Sequence, residues 1–302
     1  MFCSGAGDHT AGEAKEFSKP IIHIMAKQAG ANKRLAVDRI EHGGDAALCG
    51  LGVIVLEGQN LTEHARSIKN DNELNAMRCA IHACEASIDE MRAIMRPGLS
   101  ENELWAALHA GNIKRGGEWI ETRILASGPR TNPWFQECGP RLMQAGDLMA
   151  FDTDLVGAYG YCCDISRTWI IGDVAPNDRQ KHLYQTAYDH VMTNIGLIEA
   201  GMSFSDMTRV SHRLPEMFRP LRYGVLAHGV GLCDEYPSVR YPEDVEAHGY
   251  GGCFEVGMTL CVEAYIGAVG GHDGVKLEEQ VLITDSGAVP LSTYRYEAAF
   301  FD

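Results

Sequence analysis

The residues most suggestive of chemistry lie in the stretch FDTDLVGAYGYCCD, residues 151–164, which otherwise has the apolar character of a buried strand. This stretch contains three carboxylates, Asp152, Asp154 and Asp164. A buried carboxylate without a partner is energetically costly or gives up its charge, so three of them together require cations. The stretch contains no Lys or Arg, and the next basic residue is Arg167. The sequence therefore predicts a metal site.

Further candidate ligands follow downstream, each in or beside an apolar segment. They are His228 in AHGVGL, Glu263 in LCVEAY and Glu278 in VKLEEQ. Because alternate residues of a strand share a face, Asp152 and Asp154 are expected to point the same way, and a turn at Gly157 could return Asp164 opposite them. Five carboxylates and one imidazole suit Mn, Fe, Co or Zn, and carboxylates commonly bridge two ions. A ligand set without Cys argues against structural zinc.

Each of these residues also has an ordinary structural explanation. An Asp beside a turn is often a turn former. Glu278 and Glu279 could form a solvated strand face, and His228 could be a hydrogen-bonded core histidine. These structural explanations are less plausible for the whole set than for any single residue, because every acid lies in or next to an apolar strand segment. The spacing by itself leaves both the metal site and these alternatives open.

The overall composition argues against several classes of partner. The chain of 302 residues has a formal net charge of −15, which is unfavourable for binding nucleic acid or anionic lipid. No apolar run approaches a membrane span of roughly 18 residues, and the first residues, MFCSGAGDHT, lack the basic and apolar regions of a secretion signal. The ten cysteines form no CxxC motif, which is typical of thiols in a reducing compartment. We therefore expect a cytoplasmic protein without nucleic-acid or membrane partners.

The pattern of helices and strands predicts an α+β domain that carries these acids on its strands. Apolar residues recur at helical spacing from Asp71 to Pro97-Gly98, and a capping box at Ser100-x-x-Glu103 predicts a second helix. Residues 177–199 and the segment AGMSFSDMTRV repeat this order, which indicates an internal duplication. Strands are expected in ETRILASG, GDLMAFDTD, Tyr159–Ile171, MTLCVEAYIGA and GVKLEEQVLIT. Residues 1 to about 60 are expected to be a short, irregular lead-in.

Four sequence blocks resemble, in the right order, the pita-bread superfamily of methionine aminopeptidases, prolidases and creatinase. They are GDLMAFDTDLVGAYGYCCDISRTWIIGD, AHGVGL, EVGMTLCVEAYIG and VKLEEQVLIT. The resemblance implies a pita-bread fold for residues 64–302, with an internal pseudo-twofold repeat around a curved antiparallel sheet. It also implies that residues 1–63 are the truncated remnant of a creatinase-type N-terminal domain, and that the protein is a homodimer.

Departures from the peptidase pattern resemble a smaller branch of this superfamily, the dimethylsulfoniopropionate lyases. Peptidases have Gly where this chain has Asp154, and a His-Glu-Pro segment where GLCDEYP offers Asp234 and Glu235. The segment SGPRTNPWFQE also resembles that branch. The resemblance implies that Asp234 is the general base and that Tyr223 orients the substrate. It implies the metal ligands Asp152, Asp154, Asp164, His228, Glu263 and Glu278.

The activity implied by the resemblance is a metal-dependent β-elimination that cleaves dimethylsulfoniopropionate, a small zwitterionic sulfonium, to dimethyl sulfide and acrylate. Two divalent transition-metal ions are expected, from Fe, Mn, Co or Zn, with Fe favoured by the resemblance. A sulfonium suits aromatic faces. The aromatic candidates are Trp134, Phe135, Tyr223 and Tyr236, with Trp134 and Tyr223 as the predicted substrate-binding residues. The alternatives are a metal-dependent Xaa-Pro dipeptidase or aminopeptidase and a non-enzymatic pita-bread binding protein.

Overall fold

The computed structural model describes residues 10–301 and separates into two compact units, with the boundary between Arg66 and Ser67. The first unit contains the helices α1 (Thr10–Ala29), α2 (His42–Gly50) and α3 (Gln59–Arg66) and the strands β1 (Arg34–Val37) and β2 (Ile54–Glu57). β1 and β2 pair in parallel, with Arg34 opposite Ile54, so α2 forms the crossover that parallel strands require. The origin of this unit as a remnant of a larger domain stays a prediction.

The regular structure of the first unit shows that the expectation of an irregular lead-in was wrong. α2 contains Gly43, Gly44 and Gly50, and each glycine lowers helix propensity by about 1 kcal/mol relative to alanine. α1 carries Pro20 in its interior, which removes one intrahelical hydrogen bond. β1 and β2 are only 4 residues long each. The sequence patterns that would predict these helices and strands are therefore weak, and the elements depend on packing within the unit.

The second unit begins with two helices whose starts are fixed by side-chain caps. They are α4 (Asp71–Ile94) and α5 (Glu101–Lys114). Asn70 and Ser100 accept hydrogen bonds from first-turn amides, while Glu73 and Glu103 accept from the amides of the capping residues. These capping boxes satisfy amides that the helix itself leaves unpaired. Both predicted helices are confirmed, including the capping box at Ser100.

The remaining elements of the second unit are mainly antiparallel strands. The helices are α6 (Asp178–Leu197), α7 (Phe204–Val210) and α8 (Val245–His248). The strands are β3 (Leu125–Ser127), β4 (Leu148–Phe151), β5 (Leu155–Val156), β6 (Cys162–Cys163), β7 (Arg167–Ile170), β8 (Ala227–Val230), β9 (Asp234–Val239), β10 (Thr259–Gly267), β11 (Gly274–Thr284) and β12 (Gly287–Pro290). Within residues 10–301, no helix is both long and apolar enough to cross a lipid bilayer.

The two halves of the second unit repeat one arrangement of helices and strands. In the first half, α4 and α5 are followed by a three-stranded sheet with the strand order β3-β4-β7. In the second half, α6 and α7 are followed by a five-stranded sheet with the strand order β12-β11-β10-β8-β9, in which β8, β10 and β11 are adjacent. All of these strand pairs are antiparallel. The repeat and the curled antiparallel sheet confirm the predicted α+β class and pita-bread fold.

Contacts between β7 and β11 join the two halves beside the acidic residues. The Glu278 amide donates a hydrogen bond of 3.2 Å to the Ser166 carbonyl. The Thr168 hydroxyl donates to the Lys276 carbonyl at 2.9 Å and accepts from the Lys276 amide at 3.1 Å. Side chains carried by the strands of one half therefore meet those of the other half at this junction.

Candidate metal centre

Strands from both halves of the second unit carry the predicted ligands to one place. Asp152 follows directly after β4, His228 lies in β8, and Glu263 and Glu278 are directly opposite each other in the β10–β11 pair. Opposed residues of an antiparallel pair have Cβ atoms about 5 Å apart on the same face. Asp164 follows β6, and its amide donates to Gln280 Oε1 of β11 at 3.3 Å. The fold therefore brings distant parts of the chain to a common cluster.

Asp154 reaches this cluster through a different local structure from the one predicted. β4 ends at Phe151, so strand alternation does not orient Asp152 and Asp154. Asp154 has a φ of 35°, a left-handed conformation that non-glycine residues rarely adopt. β5 and β6 pair with Leu155 opposite Cys163, and the Asp154 amide donates to Asp164 Oδ1 at 3.2 Å. The predicted return of Asp164 toward Asp154 is confirmed, but the reason given for the orientation of Asp154 was wrong.

His228 lies among carboxylate oxygens of several strands. Its Nε2 atom is 3.4 Å from Glu278 Oε1, 3.5 Å from Glu263 Oε1 and 3.8 Å from Asp164 Oδ2. In the described part of the chain, three overlapping groups place potential ligand atoms within 4.8 Å of one another. The groups are Asp164, His228, Cys261 and Glu278; Asp152, Glu263 and Glu278; and Asp154, Asp164 and Asp234. These groups contain all six predicted ligands.

Cys261 belongs to the first group although the sequence analysis did not select it. It is directly opposite His228 in the β8–β10 pair and precedes Glu263 by two residues on β10. That spacing places the two side chains on one face of the strand and could have identified it. Burial raises the pKa of the Cys261 thiol well above its usual value, and the thiol donates to the Asp164 carbonyl at 3.8 Å. These properties fit a buried, protonated thiol beside the cluster.

The unpaired oxygens of the cluster fit the binding of divalent metal. The Oε1 atoms of Glu263 and Glu278 are buried without a hydrogen-bond partner among residues 10–301. Glu263 Oε2 also lacks a hydrogen bond there, but it lies 2.8 Å from the Lys276 ammonium. Leaving such oxygens unpaired is costly unless a cation compensates them. The Oε1 atoms of both glutamates face His228 Nε2. An oxygen-rich set with a single imidazole nitrogen suits Mn, Fe, Co or Zn.

The pKa values of the cluster reflect its excess of negative charge. Burial raises the pKa of Glu263 to about 8, although the Lys276 ammonium opposes the rise. Burial likewise raises the pKa of Asp154 to about 6. Burial alone would lower the pKa of His228, but Asp234 and the neighbouring glutamates raise it well above its usual value. In the absence of metal these groups therefore hold protons more tightly, and metal binding would release them.

Lys276 is a fully buried cation within the cluster, and its role could not be predicted from its place in the sequence. Its Nζ atom is 2.9 Å from Asp152 Oδ2, 2.8 Å from Glu263 Oε2 and 2.9 Å from Glu278 Oε2. It also donates a hydrogen bond of 2.8 Å to Ser166 Oγ. Lys276 precedes Glu278 by two residues on β11, so the alternation of the strand places both side chains on one face.

Tyr223 and Trp134 form an aromatic wall beside the cluster. Lys276 Nζ is 4.6 Å from the ring centroid of Tyr223 and 5.9 Å from that of Trp134, both within the range of a cation–π interaction. Phe135 stacks on Tyr223 with the ring centroids 5.4 Å apart, and 62% of its surface is exposed. The structure thus brings three of the four aromatic candidates to the cluster.

The structure does not bring every candidate residue to the cluster. Tyr236 packs against Phe204 and Tyr250, with ring centroids 5.8 Å and 5.9 Å away, so it is not part of the aromatic wall. Glu279 follows Glu278 on β11 and therefore points to the opposite face, where it pairs with Arg167 Nη2 at 2.9 Å. Glu279 has a structural partner and is not a ligand.

Asp234 is the exposed carboxylate of the cluster. Its side chain is 42% exposed, and Oδ1 is 3.8 Å from His228 Nδ1. Partial burial raises the pKa of Asp234 to about 6, although His228 lowers it. The neighbouring Glu235 has a fully buried side chain whose Oε1 is 2.7 Å from Lys69 Nζ. Of the two acids in this segment, Asp234 alone is directed to the cluster and remains open to solvent.

Comparisons with known proteins agree with the fold and the cluster. The model of metallopeptidase family M24 matches residues 75–285. The chain belongs to metallopeptidase family M24. Enzymes of this family depend on divalent metal ions, which agrees with the carboxylate and histidine cluster.

Relatives of this M24 chain include two curated lyases. The chain is 49% identical over 304 residues to the dimethylsulfoniopropionate lyase DddP of Roseovarius nubinhibens and 45% identical over 304 residues to that of Roseobacter denitrificans. Each alignment covers 99% of this chain and 68% of the relative. The solved Xaa-Pro dipeptidase from Bacillus anthracis has a TM-score of 0.76 and 24% identity, covering 97% of this chain and 79% of that one. At that identity the likeness shows the fold alone.

Proposed function

We propose that the protein is a metal-dependent carbon–sulfur lyase that cleaves dimethylsulfoniopropionate to dimethyl sulfide and acrylate by β-elimination. The position of Asp234 carries the proposal: it is a carboxylate 42% exposed to solvent and 3.8 Å from His228 of the metal cluster. An acid placed in this way can take a proton from a small molecule bound at the cluster. The 49% and 45% identity to two proteins named dimethylsulfoniopropionate lyase supports the same conclusion.

The proposed metal ligands are the six residues selected from the sequence. They are Asp152, Asp154, Asp164, His228, Glu263 and Glu278. We propose that they hold two divalent ions, from Fe, Mn, Co or Zn, with Fe favoured by the sequence resemblance. Two of the groups with ligand spacing share Glu278, which supports two neighbouring ion positions. When bound, such ions would attract the substrate carboxylate and stabilise the negative charge that develops beside it.

Asp234 would act as the general base of the elimination. It takes the proton from the carbon next to the substrate carboxylate, and the electron pair of that bond forms the carbon–carbon double bond of acrylate. The carbon–sulfur bond breaks with its electron pair on sulfur, so dimethyl sulfide leaves as a neutral molecule. A carboxyl with a pKa of about 6 is mostly ionised at neutral pH. Its exposure allows the proton to pass to solvent after each turnover.

Tyr223 and Trp134 would bind the sulfonium end of the substrate. Their rings already face one cation, the ammonium of Lys276, at 4.6 Å and 5.9 Å. A sulfonium makes the same electrostatic interaction with an aromatic face, and its methyl groups favour an apolar wall. With the carboxylate held at the cluster and the sulfonium at the wall, Tyr223 would orient the reacting carbon toward Asp234.

A metal-dependent Xaa-Pro dipeptidase is the second candidate, because the fold is similar to a solved Xaa-Pro dipeptidase. The peptidase pattern requires a further histidine beside the scissile peptide. In the three groups found among the described residues, His228 is the one histidine, and Asp234 and Glu235 occupy the segment that carries the second in peptidases. A non-enzymatic scaffold is disfavoured, because a pure scaffold has no need to bury so many carboxylates.

The remaining parts of the proposal concern assembly and compartment. We propose a homodimer, and a first unit that descends from a creatinase-type N-terminal domain, both on the sequence resemblance. A cytoplasmic location is supported by the cysteines, since the nine in the described part of the chain are all free thiols. Light scattering coupled to size-exclusion chromatography tests the dimer directly.

The test of the proposed function is a pair of assays on purified, metal-loaded protein. Headspace gas chromatography should detect dimethyl sulfide from dimethylsulfoniopropionate, with equimolar acrylate by NMR, while Xaa-Pro dipeptides should release little proline. Asp234→Asn should stop sulfide release, and Asp285→Asn, which changes an exposed aspartate in the β11–β12 turn, should not. Efficient dipeptide cleavage without sulfide release would favour the peptidase, and neither activity would favour the scaffold.

A further inference from the structure

The segment that carries Asp234 has little support from the strand beside it. β9 begins at Asp234 and pairs with β8, but the register shifts between His228 and Gly229. His228 is opposite Ser238, whereas Gly229 is opposite Glu235, so two residues of β9 bulge out between these pairs. Asp234 and Glu235 are therefore a short segment that pairs with β8 at two positions. A bulge redirects side chains, and a functional side chain needs firm support to keep its direction.

A buried ion pair supplies that support from behind. Glu235 Oε1 lies 2.7 Å from Lys69 Nζ, and neither side chain is more than 2% exposed. Lys69 Nζ also donates to the Ser67 carbonyl at 3.2 Å, and the Lys69 amide donates to the Gly257 carbonyl at 2.9 Å. The backbone of Lys69 is thus fixed to the turn before β10, while its ammonium is fixed to Glu235. Breaking a pair so well shielded from water would leave an uncompensated charge.

Gly231, directly after β8, leaves room for this ion pair. A Cβ atom at residue 231 would lie 2.4 Å from Glu235 Oε1 and 3.0 Å from Lys69 Cε, which is closer than packed atoms approach. The Gly231 amide donates to the Cys233 carbonyl at 3.0 Å, and its carbonyl accepts from the Cys162 amide at 2.7 Å. The backbone at Gly231 is therefore held against the pair, and any side chain there would push Glu235 away from Lys69.

The ion pair and the proposed base lie on opposite sides of β9, because consecutive side chains of a strand alternate. Asp234 faces His228, with Oδ1 3.8 Å from Nδ1, while Glu235 faces Lys69. The Asp234 side chain is partly exposed, so packing by itself restrains it little. Anchoring Glu235 fixes the backbone that the two residues share, and with it the direction of Asp234.

We propose that Lys69 and Glu235 are positioning residues for Asp234, so that their ion pair, outside the metal cluster, holds the base in the direction that reaches the substrate proton. The inference rests on the proposed function, because it takes Asp234 as the base. Neither Lys69 nor Glu235 is a proposed metal ligand or substrate contact. A misplacement of about 1 Å can cost on the order of 10²-fold in rate, so loss of the pair should be measurable in kcat.

The first part of the test is the kinetics of sulfide release by metal-loaded variants. Lys69→Met removes the ammonium and keeps an unbranched side chain, so kcat should fall at least about tenfold. KM and metal content should stay near those of the unchanged chain, because the pair contacts neither substrate nor metal. Gly231→Ala keeps both charges but places a methyl group against Glu235, and it should lower kcat in the same way.

The second part separates positioning from stability. Lys69→Met leaves the Glu235 charge buried without its partner, so Tm should fall by roughly 5–8 °C. The double variant Lys69→Met/Glu235→Gln removes both charges and should recover most of that Tm, whereas its kcat should stay low. Leu108→Ala is the control: it truncates a fully buried residue of α5, so it should lower Tm without changing kcat.

Two kinetic results would overturn the inference. One is near-normal kcat in Gly231→Ala and in the double variant, which also carry the test if Lys69→Met does not fold. The other is recovery of kcat together with Tm in the double variant, because the pair would then act through stability alone.

Crystal structures of the metal-loaded unchanged chain and double variant give a readout that is independent of activity. The Asp234 carboxylate should differ in position by about 1 Å or more between them, and an unmoved carboxylate would overturn the inference. If the unchanged chain releases no dimethyl sulfide while Asp234 moves as expected, the result counts against the lyase proposal alone.

Discussion

Glu263 should have opposite effects on stability in the presence and absence of metal. Its side chain is fully buried between His228 and Lys276, and its oxygens have no hydrogen-bond partner within residues 10–301. Burial raises its pKa to about 8, although Lys276 opposes the rise. The ionised form is therefore unfavourable in metal-free protein, whereas a bound divalent ion would favour it. Glu263→Gln keeps the shape of the side chain and removes the charge.

The size of the effect follows from the pKa of Glu263, which rises from 4.5 to about 8 on folding. Between these values the folded protein binds a proton that the unfolded chain has released, so stability falls with increasing pH. This contribution is complete below pH 4.5 and is lost as the pH rises through about 8. At about 1.4 kcal/mol per tenfold change in proton affinity, the full loss is on the order of 5 kcal/mol. A buried amide also lacks partners, so Glu263→Gln should recover only about 2 kcal/mol of this loss at pH 9. For a chain of 302 residues, that corresponds to roughly 3 °C in Tm.

Thermal melts at about pH 6 and pH 9, in a chelator and in excess Mn²⁺, measure this effect. In the chelator, Glu263→Gln should be more stable than the unchanged chain at the higher pH, and in Mn²⁺ it should be less stable and bind less metal. Glu278→Gln is the matched control on the opposite strand. Burial would raise the pKa of Glu278, but Lys276 and His228 lower it below its usual value, so its loss should destabilise metal-free protein. The reasoning is refuted if both variants lose stability alike in the chelator, or if Glu263→Gln keeps its full metal content.

Three further predictions concern the proposed reaction. Asp234→Asn should keep its metal content and Tm but lose ~10²–10⁴-fold in the rate of sulfide release; near-normal turnover would indicate another base, and parallel loss of metal would make Asp234 a ligand. The rate for the unchanged chain should fall in acid, because the base takes up a proton there, and Asp234→Asn should lack this fall. The pKa of Asp234 is about 6 without metal, and bound ions nearby would lower it, so the fall should lie at or below pH 6. Trp134→Ala should raise KM for dimethylsulfoniopropionate by roughly 5–30-fold, as expected for the loss of about 1–2 kcal/mol of cation–π attraction, and Trp134→Phe should restore most of it.

The sequence predicted the cluster of carboxylates well where the acids lie in long strands. Glu263 and Glu278 lie in β10 and β11, which are buried along almost their whole length, so a charged residue there is conspicuous in an apolar run. Asp154 was selected with a wrong reason, because the sequence does not reveal that β4 ends at Phe151 and that Asp154 adopts a φ of 35°. Strand ends depend on which neighbours pair, and that is a tertiary property.

The sequence was least informative about which cation compensates which acid. Arg167 is the first basic residue after the acidic stretch, yet it pairs with Glu279 at 2.9 Å on the other face of β11. The cation that contacts the cluster is Lys276, which is distant in sequence from Asp152 and lies 2.9 Å from its Oδ2 atom. The basic residue nearest in sequence, Arg167, is therefore not the one that compensates the cluster. The alternation of side chains along β11 identifies Lys276 instead, because Lys276 and Glu278 lie on the same face of the strand. One strand carries both the compensating cation, Lys276, and a proposed ligand, Glu278, so any shift of β11 moves the two together.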